Sequence, residues 1–180
     1  MCSADYDKNN ELTKKFFATV QNKLHFAVSG QTAAEIIHSR ADKNNTNMGL
    51  TTWKNAPKGA IRKTDVSIAK NYLNEEEIDE LNRVVEMYLL FAESQARRGN
   101  IMYMTDWVQK LDGFLQFNDR DVLQHIGKIS HELAVELAEK QFDIYHEEKN
   151  KMLVSDFDEV VLQTIESAKN KKPVIHSPIA

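Results

Sequence analysis

The sequence predicts a mainly α fold, a single domain of six to seven helices with at most a small β-hairpin in a loop at 48–63. Two observations carry this. Glycine and proline are scarce, six and three in 180 residues. Apolar residues also recur at helical spacing over long stretches, while β-branched runs are few.

The elements follow in order. Residues 1–10 read as a flexible N-terminus and 11–169 as the helical domain. The first helix spans Glu11 to about Val28, with Phe16, Phe17, Val20, Leu24 and Ala27 on one stripe, and Gly30 ends it. A second helix starts at Thr32 around Ile36 and Ile37. Residues 43–63 then form an irregular segment rich in Asn, with Gly49, Pro57 and Gly59 as turn formers. Within it MGLTTW and AIRKT are the two candidate hairpin strands. Thr64 caps a short helix over DVSIAKNYL.

Asn74 with Glu77 three residues on is a capping-box start for a long helix, 75–98. Cations in its last turn and Gly99 beyond it suit its end. Thr105 caps a helix to Phe117, with Trp107, Leu111, Phe114 and Leu115 inward. Asn118 caps a further helix of about thirty residues, by the run of helical spacing from Asp119. A last helix covers 156–168. Residues 170–180, with two prolines and no period, read as a flexible tail.

Hydrophobic residues are 42% and charged residues 28%, with a net charge of −4. An acidic chain argues against general binding to nucleic acid or membrane surfaces. No apolar run reaches the roughly 18 residues of a membrane helix. The first ten residues lack the cationic start and apolar core of a signal peptide. A lone cysteine, Cys2, forms no internal disulfide. Together these point to a cytoplasmic protein.

The chemistry-bearing clusters mostly have plain readings. His125 and His131 are six apart, about 240° around a helix, so they do not share a metal. Glu132 and Glu136 share a face without a histidine between them. The acidic run Glu75, Glu76, Glu77, Asp79 and Glu80 suits a helix N-terminus. Glu93 and Arg97 make an ordinary i,i+4 pair. No phosphate loop, dinucleotide fingerprint, nucleophile elbow or zinc pattern is present. No metal and no cofactor is therefore assigned, and the catalytic residues, if the protein is an enzyme, are unknown.

The segment 43–63 is the exception. It holds Lys43, Lys54, Lys58, Arg62 and Lys63 and no acid. Clustered cations repel one another unless an anion lies near, and Arg offers a planar fork for phosphate. Trp53 offers a flat face for a base. The candidate binding residues are Trp53, Lys54, Lys58, Arg62 and Lys63, with His38 and Arg40 as helpers if the second helix borders the loop. The plain alternative is a solvated basic loop with Trp53 packed inward.

Several phrases carry a resemblance: FFATVQNKLHFAVSGQTAAEII at 16–37, RADKNNTNMGLTTWK at 40–54, DVSIAKNYLNEEEIDELNRVVEMYL at 65–89, FAESQARRGNIMYMTDWVQKLDGFLQFN at 91–118 and ISHELAVELAE at 129–139. The chain resembles the C-terminal part of the virulence-associated RhuM family. The resemblance implies a mobile-element or defence setting, near restriction–modification genes, without the N-terminal DNA-binding-like portion of longer members. It transfers no residue-level chemistry.

Three functions stay open. The first is a non-catalytic protein that takes a phosphate-bearing, nucleotide-like molecule at the basic loop, sensing or sequestering a signal. A small ligand is favoured there over nucleic acid because the positive charge is local. The second is a protein–protein module, a homo-oligomer through its long helices, partnering a DNA-binding protein. The third is an enzyme acting on nucleotides or nucleic acid, with Glu35, His38, Asp106 or His131 as groups that could meet.

Overall fold

The computed structural model describes residues 3–170. It is helical: α1 Glu11–Ser29, α2 Ala33–Arg40, α3 Glu75–Arg97, α4 Met104–Phe117 and α5 His131–Asn170, with two 3-10 turns at Thr46–Gly49 and Ala69–Tyr72. The chain divides into two compact units, Met1–Phe142 and Asp143–Ala180. As far as it is described, the second unit is the C-terminal part of α5. The expected tail, 170–180, lies outside the described residues but for Asn170.

The helix starts are largely written in the local sequence. Asn10 accepts the Leu12 N–H at 2.9 Å and Gly30, at φ 69°, closes α1. Thr32 and Glu35 form a reciprocal capping box on α2, and Asn74 and Glu77 form another on α3. At α4 the start lies earlier than expected, at Met104. Asp106, rather than Thr105, closes the cap by accepting the Tyr103 N–H at 2.8 Å.

One core cluster lies among α1, α3 and α4. Ala27, Val84, Tyr88, Met102, Trp107, Leu111 and Leu115 are buried there, with Phe16, Val20 and Leu24 packed against them. Burying a side chain such as Leu111 contributes about 1.5–3 kcal/mol. The Tyr88 hydroxyl is satisfied by the Trp107 carbonyl at 2.7 Å. A second cluster of fully buried side chains comes from α2 and the irregular segment after it: Ile36, Ile37, Met48, Val66, Tyr72 and Leu73.

Four expectations are corrected. First, the 48–63 hairpin does not form. The only bridge outside named strands among the described residues joins Ser3 and Met102. Thr51 instead bonds 71–73: its N–H donates to the Asn71 carbonyl at 2.8 Å and its hydroxyl to the Leu73 carbonyl at 2.6 Å. Met48 and Leu50 are spent as buried plugs, not as alternating strand residues. Second, Thr64 starts no full helix, because Asp65 is drawn inward as a hydrogen-bond acceptor and only the 3-10 turn Ala69–Tyr72 remains.

Third, residues 119–130 are not helical. Asn118 caps the end of α4, donating from Nδ2 to the Phe114 carbonyl at 2.8 Å. The backbone beyond it is held by side chains of the body: Lys23 Nζ donates to the Leu123 carbonyl at 3.0 Å, and the Glu35 carboxylate accepts the Lys128 N–H at 2.8 Å. Arg120 pairs with Glu80. Ser130 then opens α5 by accepting the Leu133 N–H. Fourth, α5 runs unbroken to Asn170, where two helices were expected.

Gly49 is fixed by its surroundings. Its φ is 80°, and an added Cβ would lie 2.2 Å from the Arg40 carbonyl oxygen. Gly49→Ala is therefore expected to cost about 2 kcal/mol, from left-handed strain plus displacement of a helix-end carbonyl. Urea denaturation of the two proteins measures it. A loss under about 0.5 kcal/mol would show that this turn gives way freely.

Candidate functional site

The basic segment is an ordered loop, and two small devices order it. Asp65 is 3% exposed. Its carboxylate accepts the Lys54 N–H at 3.3 Å and the Arg62 N–H at 2.8 Å, one on each oxygen. Residues eight apart in sequence are thus tied to one buried anion. Inside the loop so formed, the Trp53 indole N–H donates to the Gly59 carbonyl at 2.7 Å, and the Gly59 N–H to the Asn55 carbonyl at 2.7 Å. Ile61 is buried beneath it.

Lys54, Lys58 and Arg62 are exposed on this loop. Among the described residues none forms an ion pair with them. Lys63 differs, standing 3.5 Å from Glu139 on α5, with both side chains nearly half exposed. The Lys43 N–H donates to the Gln141 side chain at 3.0 Å, so both ends of the segment meet the third turn of α5. Trp53 is half-buried with its N–H committed, so the ring is what it has left to offer.

The two helpers stand elsewhere. The Arg40 guanidinium is taken up in a bidentate pair with Glu77, at 2.6 and 2.7 Å, and also donates to the Tyr72 carbonyl at 2.9 Å. Arg40 holds the Glu77 carboxyl below the ordinary carboxylate range, and Glu77 raises Arg40 further. His38 lines a different cleft of about 510 Å³ with Glu35, His125 and Lys128. None of the loop cations lines it.

That cleft is well built but occupied with its own bonds. Burial works against the Glu35 charge, yet amide donors from Thr32 and Lys128 bring the net shift downward. The His125 ring packs edge-on to Phe26, its Nδ1 accepting the Gly127 N–H at 3.0 Å. Glu35 and His38 share this cleft, whereas Asp106 and His131 line two others. The four side chains considered for catalysis do not converge. Among the described residues there is no group of three or more His, Cys, Asp or Glu placed to hold a metal, and no helix is long and apolar enough to cross a membrane.

Asp65 and Glu77 are the residues that organise this region, and neither has a site-like sequence pattern. Glu77 is legible only as a capping residue. Asp65 follows the basic run with nothing to mark it as its anchor.

A family model described as the virulence protein RhuM family matches residues 1–153. No curated protein and no solved structure matches the chain.

Proposed function

The chain belongs to the virulence protein RhuM family, and for this member we propose a binding function without catalysis: the loop 53–62 takes the phosphate of a nucleotide-like small molecule. The observation that carries it is the Asp65 clasp, which fixes the backbone at Lys54 and Arg62 while leaving their side chains exposed. A fixed backbone lowers the ordering cost of binding. Three exposed cations on it supply charge-assisted donors, and the Trp53 ring supplies a surface against a base. In a mobile-element setting such a protein senses or sequesters a nucleotide signal.

The test is a thermal-shift and calorimetric titration with mono-, di- and cyclic nucleotides and with inorganic phosphate. It compares wild type with Lys54→Ala/Lys58→Ala/Arg62→Ala. A ligand present at a hundred times its Kd stabilises the folded state by about 2.7 kcal/mol. Wild type is expected to show such a rise with at least one nucleotide, and the variant is expected to lose it at unchanged unliganded stability. A flat wild-type titration, or an equal response from the variant, removes the reading.

A further inference from the structure

We propose that the cleft bounded by α1, α2, the chain around Ala69 and the segment 126–131 is a second binding site, for a small uncharged aliphatic molecule that carries a carbonyl oxygen. The cleft measures about 430 Å³, within the range of small-molecule sites. Neither Trp53 nor any of the loop cations lines it. The site is therefore independent of the nucleotide reading of the loop.

The lining selects the class of ligand. No Asp, Glu, Lys or Arg lines the cleft, although such residues are 28% of the chain. A charged ligand would lose its water there and gain no counter-charge. The ionisable group present is His131, exposed where α5 begins. No Phe, Tyr or Trp lines the cleft either, so a base finds no ring to stack on. The apolar walls are aliphatic, with Ala18, Ala34, Ile37 and Ile129 among them.

The polar lining leaves one fixed donor. Thr32 Oγ1 accepts the Glu35 N–H at 3.4 Å, and the hydroxyl also bonds the Glu35 carboxylate. Ser67 donates to the Thr64 carbonyl at 3.2 Å, and Ser130 is shared between the Leu133 N–H and Glu132. Asn22 is different. Its Oδ1 accepts the Ala33 N–H at 3.1 Å, which fixes the amide and leaves its NH2 as the open group. That NH2 has no partner among the described residues. A half-buried donor beside aliphatic walls is matched by a carbonyl oxygen on an aliphatic chain.

Ile126 supplies a cover. It lines the cleft and is nevertheless 98% exposed. Its segment is held on either side, by Lys23 at the Leu123 carbonyl and by Glu35 at the Lys128 N–H. Gly127 lies so close to Thr32 that an added Cβ would stand 3.2 Å from the hydroxyl oxygen. An isoleucine held in water at the edge of an aliphatic cleft gains burial when the cleft is filled.

Two-dimensional amide NMR of the full chain, titrated with hexanamide, hexanoate and hexylamine, tests this. The probes have similar aliphatic bodies and differ in the head group: neutral carbonyl, anion and cation. Hexanamide is expected to bind with a Kd of about 1 mM, as suits so small a probe, and to shift the Asn22 side-chain NH2 and the amides of Ala34 and Ile126. The charged probes are expected to bind at least about tenfold more weakly. Asn22→Asp keeps the oxygen that accepts the Ala33 N–H and loses the donor, and is expected to weaken hexanamide about tenfold. Ile126→Ser, at an exposed position, is expected to weaken it about fivefold. The same spectra report whether each variant is folded. Absence of shifts with hexanamide at about 10 mM, shifts confined to other surfaces, equal binding of hexanoate, or an unchanged Kd in both folded variants overturns the proposal.

Discussion

Replacing Arg40 with Ala is expected to lower the unfolding free energy by about 3 kcal/mol, the cost of stranding a paired charge in a largely buried site. Three donor bonds converge there, two on Glu77 and one on the Tyr72 carbonyl. Loss of the guanidinium leaves the Tyr72 carbonyl without this donor and the Glu77 carboxylate with only the Asn74 N–H. For a chain of this size the melting temperature falls by roughly 6–12 °C. Arg40→Lys recovers less than half, because a single ammonium does not reproduce the planar fork.

The partner substitution should be Glu77→Gln. Gln keeps the capping box on Asn74, which Ala would remove at a further cost of about 1 kcal/mol. A double-mutant cycle of Arg40→Ala with Glu77→Gln, read by urea denaturation, isolates the pair. A coupling of at least about 1 kcal/mol is expected. Additive effects would mean that the ion pair does not join α2 to the start of α3.

The second large effect is a loss of stability in mild acid, centred on His25. This side chain is 3% exposed, and its Nδ1 has no hydrogen-bond partner among the described residues. Burial pushes its pKa down to about 4, the nearby Lys70 adds repulsion, and Glu77 opposes in part. In the unfolded chain the same imidazole titrates near 6.5. Between these values the unfolded state binds the proton that the folded state refuses. Stability is therefore full above pH 6.5 and falls as the pH drops towards 4, by about 3 kcal/mol.

Glu77 and Arg40 do not mask this. The Glu77 carboxyl is held below its ordinary 4.5, so its contribution starts to fall only below about pH 4.5, and wild type and His25→Gln share that loss. Chemical denaturation at a series of pH values from 8 to 4, on wild type and on His25→Gln, gives the measurement. The difference between the two proteins should shrink by about 3 kcal/mol over that window. A difference independent of pH would show that His25 is protonated or solvated in the folded state.

Much of the helical frame was legible because its signals are local. The Asn74–Glu77 box, the Gly30 stop and the stripe Phe16, Val20, Leu24 and Ala27 each lie within a few turns of chain. Leu111 and Leu115 were readable as core for the same reason. The errors fall where a distant group takes over a backbone or a cap. Asn118 looked like the start of a helix and is the end of one. Residues 119–130 have helical spacing but surrender their backbone to Lys23 and Glu35, which lie about a hundred residues earlier in the chain.

The candidate site shows the same division. That positive charge gathers at 43–63 is plain from the residues alone, because composition is a property of the chain before it folds. The helical class is plain from them too, because periodicity and capping act between near neighbours. Which cations stay exposed and which are used internally is set by the folding of the chain. Arg40 meets Glu77 across 37 residues and Lys63 meets Glu139 on α5, while Lys54 and Arg62 are tied through the buried carboxylate of Asp65. Such pairings depend on how the chain closes on itself. Their partners are fixed by packing, and no spacing in the sequence encodes them.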